Sequence, residues 1–297
     1  MRLPIRLNPT AVPHALRRLL APVSASGDPS RLTFLADQYK RVPPEEQAAI
    51  AAEYSMCISA LKFGKTFKTT AAARLDRSAA AFESHLVGND HVVVDLGASD
   101  GSTSVDLFER IRPHVQRFIA ADLNDSILIC SHRNGLAFFS PAGQPIVEVT
   151  PRLLWYADVA GANPIYRGLV SRRVVRFPCS GEQTRIRLLN PRFLDLTARH
   201  PNVAFLRHDM FEPLPVTATA VRVSNLLNLS YFSAAEIERA LGSICANLAE
   251  SGLLLISRDT GTEEHGTLFR RSGGRLVILE TIGAGSEVEP IASSLRL

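Results

Sequence analysis

Residues 92–111, VVVDLGASDGSTSVDLFERI, constrain the fold more than any other stretch of the chain. An unbroken apolar run ends in Asp95, turns through Gly97 and Gly101, and enters a helical segment. A run without polar alternation marks a strand covered on both faces, which is the habit of parallel sheets. The pattern then repeats. Strand-like runs at residues 117–123, 202–209, 220–227 and 252–259 alternate with helical stretches such as SAAEIERALGSICANLAE. Such alternation predicts an α/β domain built on a parallel sheet. The run TLFRRSGGRLVILETIG, with Ser272-Gly273-Gly274 at its centre, predicts an antiparallel hairpin closing that sheet.

Two segments stand outside this alternation. Residues 1–90 read as a helical extension or lid: EEQAAIAAEYSMCISALKF places Ile50, Tyr54, Ile58 and Leu61 at helical spacing, and TAAARLDRSAAAFESHL ends near Gly88-Asn89. KFGKTFK between them reads as a loop. The second segment separates Asp125 from the strand at Asn202, a gap too long for one crossover helix. Within it, GLAFFSPAGQPIVEV reads as a hairpin around Pro141-Ala142-Gly143, and RGLVSRRVVRFP and TRIRLL as short strands. The expected organisation is therefore an N-terminal helical segment, residues 1–90, and a main domain, 91–297, carrying a small inserted β-subdomain over about 133–201.

Composition narrows the function classes. The 297 residues carry 33 Lys and Arg against 29 Asp and Glu, a formal charge of +4. The surplus falls largely on Arg in the insertion, where a solvated surface and a nucleic-acid footprint both remain open. No apolar window approaches a membrane span. The basic start is broken by Pro4, Pro9 and Pro13 and has no apolar core of a secretory signal. Cys57, Cys130, Cys179 and Cys245 stand singly, without a CxxC pair. A cytoplasmic protein without disulfides or structural zinc is the expectation.

In a parallel α/β sheet, ligands bind at the carboxyl ends of the strands near the topological switch point. The loop here is GASDGS, which lacks the third glycine of a dinucleotide fingerprint. Asp95 and Asp100 would repel a pyrophosphate and suit a cationic ligand. Asp122 ends the next strand, where a carboxylate accepts both ribose hydroxyls of an adenosine. His208-Asp209-Met210-Phe211 ends the strand after the insertion, with Asp209 able to accept from an adenine amino group and Met210 to pack on the ring.

These segments, over roughly residues 90–283, resemble the class I S-adenosylmethionine-dependent methyltransferases. The resemblance implies a Rossmann-like, doubly wound, mostly parallel seven-stranded sheet and S-adenosyl-L-methionine as cofactor. It places the glycine loop at Asp95, Gly97, Ala98, Ser99, Asp100 and Gly101, with Ser99 where the family often has glycine. It places the ribose acid at Asp122 beside Leu123, the adenine side at Asp209 and Met210, and the fourth-strand segment at SNLLNLSYF with Asn225. The architecture is also similar to that of the chemotaxis-receptor glutamate methyltransferases, in the helical N-terminal segment, the β insertion and the Asn225 or Asn228 with Tyr231-Phe232.

Methyl transfer asks mainly for alignment and exclusion of water, and for a base only when the acceptor is a hydroxyl or protonated amine. Tyr231 and His208 are the candidates for catalysis, although packing accounts equally well for Tyr231. Glu263, Glu264 and His265 read as a solvated loop cluster or a metal site, and Lys62, Lys65 and Lys68 as solvated or as a draw for an anionic acceptor. The expected function is methyl transfer to a small-molecule acceptor. The rivals are a protein carboxylate acceptor docked by the Arg-rich insertion (Arg172, Arg173, Arg176) and a binding protein without turnover. A nucleic-acid acceptor fits less well, because SNLLNLSYF lacks the proline-aromatic cradle for a flipped base.

Overall fold

The computed structural model describes residues 5–7, 20–22, 27–63, 66–68, 75–132, 135–150, 153–158 and 182–297. In chain order its first elements are β1 (Ile5–Leu7), β2 (Leu20–Pro22), α1 (Leu32–Tyr39), α2 (Pro44–Ser59), β3 (Lys62–Phe63), β4 (Thr66–Phe67) and α3 (Asp76–Ser84). There follow β5 (His91–Leu96), α4 (Ser102–Ile111), β6 (Val115–Asp122), β7 (Ser126–His132), β8 (Gly135–Phe139), β9 (Pro145–Val149), β10 (Leu153–Tyr156) and β11 (Gln183–Arg187). The last are α5 (Pro191–Arg199), β12 (Val203–Arg207), β13 (Ala218–Ser224), α6 (Ala234–Ala246), β14 (Leu248–Asp259), β15 (Glu264–Ser272), β16 (Arg275–Ile282) and α7 (Glu289–Ser294).

The chain divides into two compact units, residues 1–70 with 124–191 and residues 71–123 with 192–297. These boundaries correct the sequence expectation in two places. The N-terminal segment does not form a body of its own, and the insertion starts with β7 at Ser126, seven residues before the expected position. The physical reason lies in the apolar faces. Leu32 and Leu35 of α1 and Tyr54 and Ile58 of α2 pack with Ile127, Ile129, Phe138, Val147 and Leu154 of the inserted strands. Polar links reinforce that core: Tyr54 donates its hydroxyl to the Arg187 carbonyl at 2.9 Å, and Asn190 Nδ2 donates to the Ala51 carbonyl at 2.9 Å. The inserted strands β7 to β11 join β1 and β2 of the N-terminal segment in a seven-stranded sheet of order β11-β7-β8-β9-β10-β1-β2, antiparallel except where β1 runs parallel to β10. The expected hairpin around Gly143 is β8–β9. KFGKTFK, expected to be a loop, contains the two-residue pairing of β3 with β4. Lys62 is ion-paired with Asp158 at 2.7 Å and Lys68 is buried, so neither is a solvated basic patch. Lys65, the RGLVSRRVVRFP run and Arg172, Arg173 and Arg176 lie outside the described residues.

The second unit carries the sheet that the alternation predicts. Its order is β12-β6-β5-β13-β14-β15-β16, parallel from β12 to β14 and antiparallel at β15 and β16. The chain leaves β5 toward β6 and β12, and later returns to the other side of β5 as β13 and β14. The topological switch point therefore lies between β5 and β13. Alternate residues Val94 and Leu96, Val221 and Val223, and Leu254 and Ile256 pack against α6 and α7 through Ile237, Leu241, Ile244, Val288 and Ala292. On the opposite face Phe118 meets Phe108 of α4 edge-on at 5.5 Å. The β15–β16 hairpin turns on Gly273 and Gly274, at φ 56° and 72°, the left-handed backbone that a tight hairpin turn requires.

Helix α3 belongs to this second unit rather than to an N-terminal lid. Buried Glu264 on β15 accepts the Arg77 and Ser78 N–H groups at 2.9 and 2.8 Å, capping the first turn of α3. This settles one of the loop acids as a helix cap, which is neither a solvated side chain nor a metal ligand. Glu264→Ala should remove about 2 kcal/mol of stability, since two charge-assisted bonds are lost and buried donors are stranded. Denaturant unfolding with an unchanged m-value checks this; a variant as stable as the wild type contradicts it.

Candidate active site

Parallel pairing brings the carboxyl ends of β5, β6, β12 and β13 to one edge of the second sheet, and four short segments meet the solvent there. They are Gly97–Gly101, Asp122–Leu123, His208–Met210 and Asn225–Phe232. The glycine loop is held to β6 by backbone: the Gly97 and Ala98 N–H groups both donate to the Ala121 carbonyl, at 2.8 and 3.0 Å. Asp122 grips the middle of the loop, its Oδ2 accepting the Ser99 N–H at 2.9 Å. The loop closes with Gly101 N–H on the Ala98 carbonyl at 2.9 Å, and α4 begins with the Val105 N–H on the Gly101 carbonyl at 3.0 Å.

Three consecutive turns of backbone explain the residue types. Gly97, Ser99 and Gly101 take φ of 79°, 57° and 82°. A side chain in this region costs about 1–2 kcal/mol, so Ser99 is a strained occupant of a position that favours glycine. The glycines are also needed for protein packing rather than for ligand space alone. A Cβ on Gly97 would lie 2.8 Å from Leu226 Cδ2, and one on Gly101 2.6 Å from the Phe193 ring. Sequence reading found the glycines but not Leu226 or Phe193, because nothing local announces a contact between distant segments.

The two loop acids are not where a cationic ligand would meet them. Asp95 is 2 % exposed, and its oxygens accept from Arg222 Nε at 2.8 Å, Arg222 Nη2 at 2.6 Å and Ser104 Oγ at 2.5 Å. Asp100 is fully buried, with Oδ1 accepting the Ser102 N–H at 3.0 Å. Both therefore shape the loop and the start of α4. Arg222 was missed at the sequence level, although a lone arginine inside the apolar run AVRVS was a legible signal. A guanidinium there requires a buried partner.

The other candidate residues are placed as follows. Asp122 is half-buried at the strand end, and Leu123 beside it is 45 % exposed. His208 donates its backbone N–H to the Asp122 carbonyl at 3.1 Å, while its buried Nε2 has no hydrogen-bond partner. Asp209 Oδ1 accepts the Phe211 N–H at 3.0 Å and so caps its own turn. Met210 is buried in the core beneath the edge, with Leu214 and Leu227, rather than laid open for a ring. Asn225 sits at φ 57°, its Oδ1 accepting the Asp259 N–H at 2.9 Å and its buried Nδ2 without a partner. Asn228 is buried and accepts the Ser230 and Tyr231 N–H groups at 3.2 and 3.1 Å, building the turn that carries Tyr231. The Tyr231 ring is half-buried and meets Phe232 edge-on at 6.4 Å.

Among the described residues no group of His, Cys, Asp and Glu is arranged to hold a metal ion. Burial pushes the Cys57 thiol up to about 11 and the Cys245 thiol up to about 12, so neither is a thiolate nucleophile at neutral pH. Among the described residues no helix is long and apolar enough to cross a membrane.

No family model matches the chain, and no curated protein matches it either. Solved structures similar to it include N- and O-methyltransferases. The N-methyltransferase NodS from Bradyrhizobium japonicum WM9 is 14 % identical over 62 % of this chain and 63 % of that one, with a TM-score of 0.29. The pyocyanin biosynthetic protein PhzM is 12 % identical over 75 % of this chain and 42 % of that one, with a TM-score of 0.34. Coclaurine N-methyltransferase is 13 % identical over 77 % and 50 %, with a TM-score of 0.32. The chain thus spans less than two thirds of each of these proteins. Likeness at this level leaves the chemistry to the residues of the site.

The loop geometry makes a quantitative prediction. Gly261 has φ 87° with open space around it, whereas Gly101 has φ 82° with Phe193 in the way. Gly261→Ala should therefore cost about 1–2 kcal/mol from backbone strain alone. Gly101→Ala should cost at least about 2 kcal/mol more, because a buried phenyl ring must move. Equal losses in parallel denaturation curves would show that Phe193 does not pack as described.

Proposed function

We propose that the chain is an S-adenosyl-L-methionine-dependent methyltransferase acting on a small-molecule acceptor. The observation that carries this reading is Asp122, a half-buried carboxylate at the end of the strand beside the switch point, tied to the glycine loop through Ser99. That arrangement suits a ribose diol. The donor set fits the remainder of the group: the buried, unpartnered Nε2 of His208 and Nδ2 of Asn225 are polar atoms that a ligand at this edge would satisfy. When bound, S-adenosyl-L-methionine supplies a methyl carbon made electrophilic by its sulfonium.

What the protein contributes is alignment and exclusion of water. Gly97, Ala98, Ser99 and Gly101 would hold the amino-acid end, Asp122 and Leu123 the ribose, and Asp209 the adenine side, with Met210 packed in the core beneath it. Asp95 and Asp100 act behind the loop, since both side chains are spent on protein. His208 and Tyr231 lie on the neighbouring segments and are the candidates for removing a proton from a hydroxyl or amine acceptor. A protein carboxylate acceptor is the second reading, favoured by the finding that the inserted strands and the N-terminal helices together form a seven-stranded unit rather than a small appendage.

Calorimetric titration tests the cofactor. S-adenosylhomocysteine should bind the wild type and NAD should not. Asp122→Asn keeps an acceptor for Ser99 while removing the charge, and should weaken binding about tenfold; Asp122→Ala, which also frees the loop, should weaken it further. Wild-type affinity in both variants would remove Asp122 from the site, and preferential NAD binding would remove the methyltransferase reading altogether. Methyl-labelled S-adenosylmethionine with cell extract then separates the acceptors by whether label enters small molecules or protein. Binding without any label transfer would indicate a protein that binds the cofactor without turnover.

A further inference from the structure

The glycine loop is anchored from two sides, and the second anchor lies in a residue that touches neither the loop nor its ligand. Arg222 stands on β13 directly opposite Asp95 on β5, in register across the switch point. Both side chains are 2 % exposed. The guanidinium forks onto the carboxylate at 2.8 and 2.6 Å, and its Nη2 also donates to the Thr103 carbonyl at 3.1 Å. Asp95 in turn accepts from Ser104 Oγ at 2.5 Å. Thr103 and Ser104 form the first turn of α4, which starts immediately after Gly101. The pair therefore ties three elements together at one point: two sheet strands and the helix that the loop must enter.

Stability alone does not account for such a pair. Desolvating two ions offsets most of their attraction, and apolar residues of similar volume hold a core equally well. What a guanidinium–carboxylate fork adds is direction: two parallel bonds fix a plane, and the extra donor fixes the helix turn against that plane. The carboxylate also lies where the amino end of α4 favours negative charge.

We propose that Arg222 is a positioning residue for the cofactor loop. Acting through Asp95, Thr103 and Ser104, it sets the height and orientation of the first turn of α4. It thereby sets the path of Ser99–Gly101 over the site. The proposal rests on the reading of that loop as the cofactor site. It assigns to Asp95 the role of coupling the loop to β13, in place of contact with the ligand's ammonium group.

Three variants test it with S-adenosylhomocysteine as probe, at a temperature well below every thermal midpoint. The double variant Asp95→Leu/Arg222→Met replaces the ion pair by apolar bulk and should keep its thermal midpoint within about 5 °C of the wild type. Its Kd should nonetheless rise about tenfold. Ser104→Ala cuts the helix-side link and should raise Kd about threefold to fivefold. Arg222→Lys keeps the charge but not the fork, and should fall between them. A residue that only stabilised the core would move the midpoint and leave Kd alone. Wild-type affinity in the folded double variant therefore overturns the proposal. If that variant does not fold, wild-type affinity in both Ser104→Ala and Arg222→Lys overturns it, and weakened binding there supports it. If the wild type itself does not bind the probe, the cofactor reading fails separately. The coupling is then read from amide hydrogen exchange over residues 101–105, which all three variants must accelerate, and unchanged exchange overturns it.

Discussion

A carboxylate and a guanidinium taken out of water together each lose solvation worth several kcal/mol, and only a saturated set of bonds offsets the loss. Asp95 and Arg222 meet that condition at the centre of the second sheet, with Ser104 and Thr103 completing the set. Because the pair straddles β5 and β13, it lies under the point where strand order reverses. Everything at the ligand edge follows from that position. The loop leaves β5 immediately beyond Asp95, α4 starts against the pair, and β13 carries Asn225 onward to the same edge. Asp100 and the left-handed turns at Gly97, Ser99 and Gly101 then shape a backbone whose two ends are already fixed.

The first unit follows a different rule. Helices α1 and α2 carry apolar faces that cannot remain in water, and the inserted strands β7 to β10 present one face that cannot either. Each covers the other, and β1 extends the sheet by pairing with β10. A long excursion between β6 and β12 is tolerated because it folds into a unit with its own core instead of a bare loop.

Much of the second unit was legible in the sequence. The unbroken run before Asp95, the alternation after it and Gly273-Gly274 in the closing hairpin are local signals, and each element formed where they point. Asp122 and the glycines were legible for the same reason. The insertion was only partly so. The excursion after Asp125 is legible, but that SILICSH forms its first strand, β7, is not, because an apolar run does not announce which sheet it joins. The division of residues 1–90 between two units was not legible, because Glu264 capping α3 and Ile58 packing near Phe138 are contacts between segments far apart in sequence. The acids of the loop were read as ligand-facing because their partners, Arg222 on β13 and the Ser102 amide, become visible only once strands are in register.

We propose that the edge formed by residues 97–101, 122–123 and 208–210 is one cofactor site. Hydrogen–deuterium exchange with and without saturating S-adenosylhomocysteine tests it most directly, because slowed amides mark the site without presuming any single side chain. A single cofactor site at this edge should slow exchange across all three of these segments. Protection confined to other segments, or none at saturation, would contradict it.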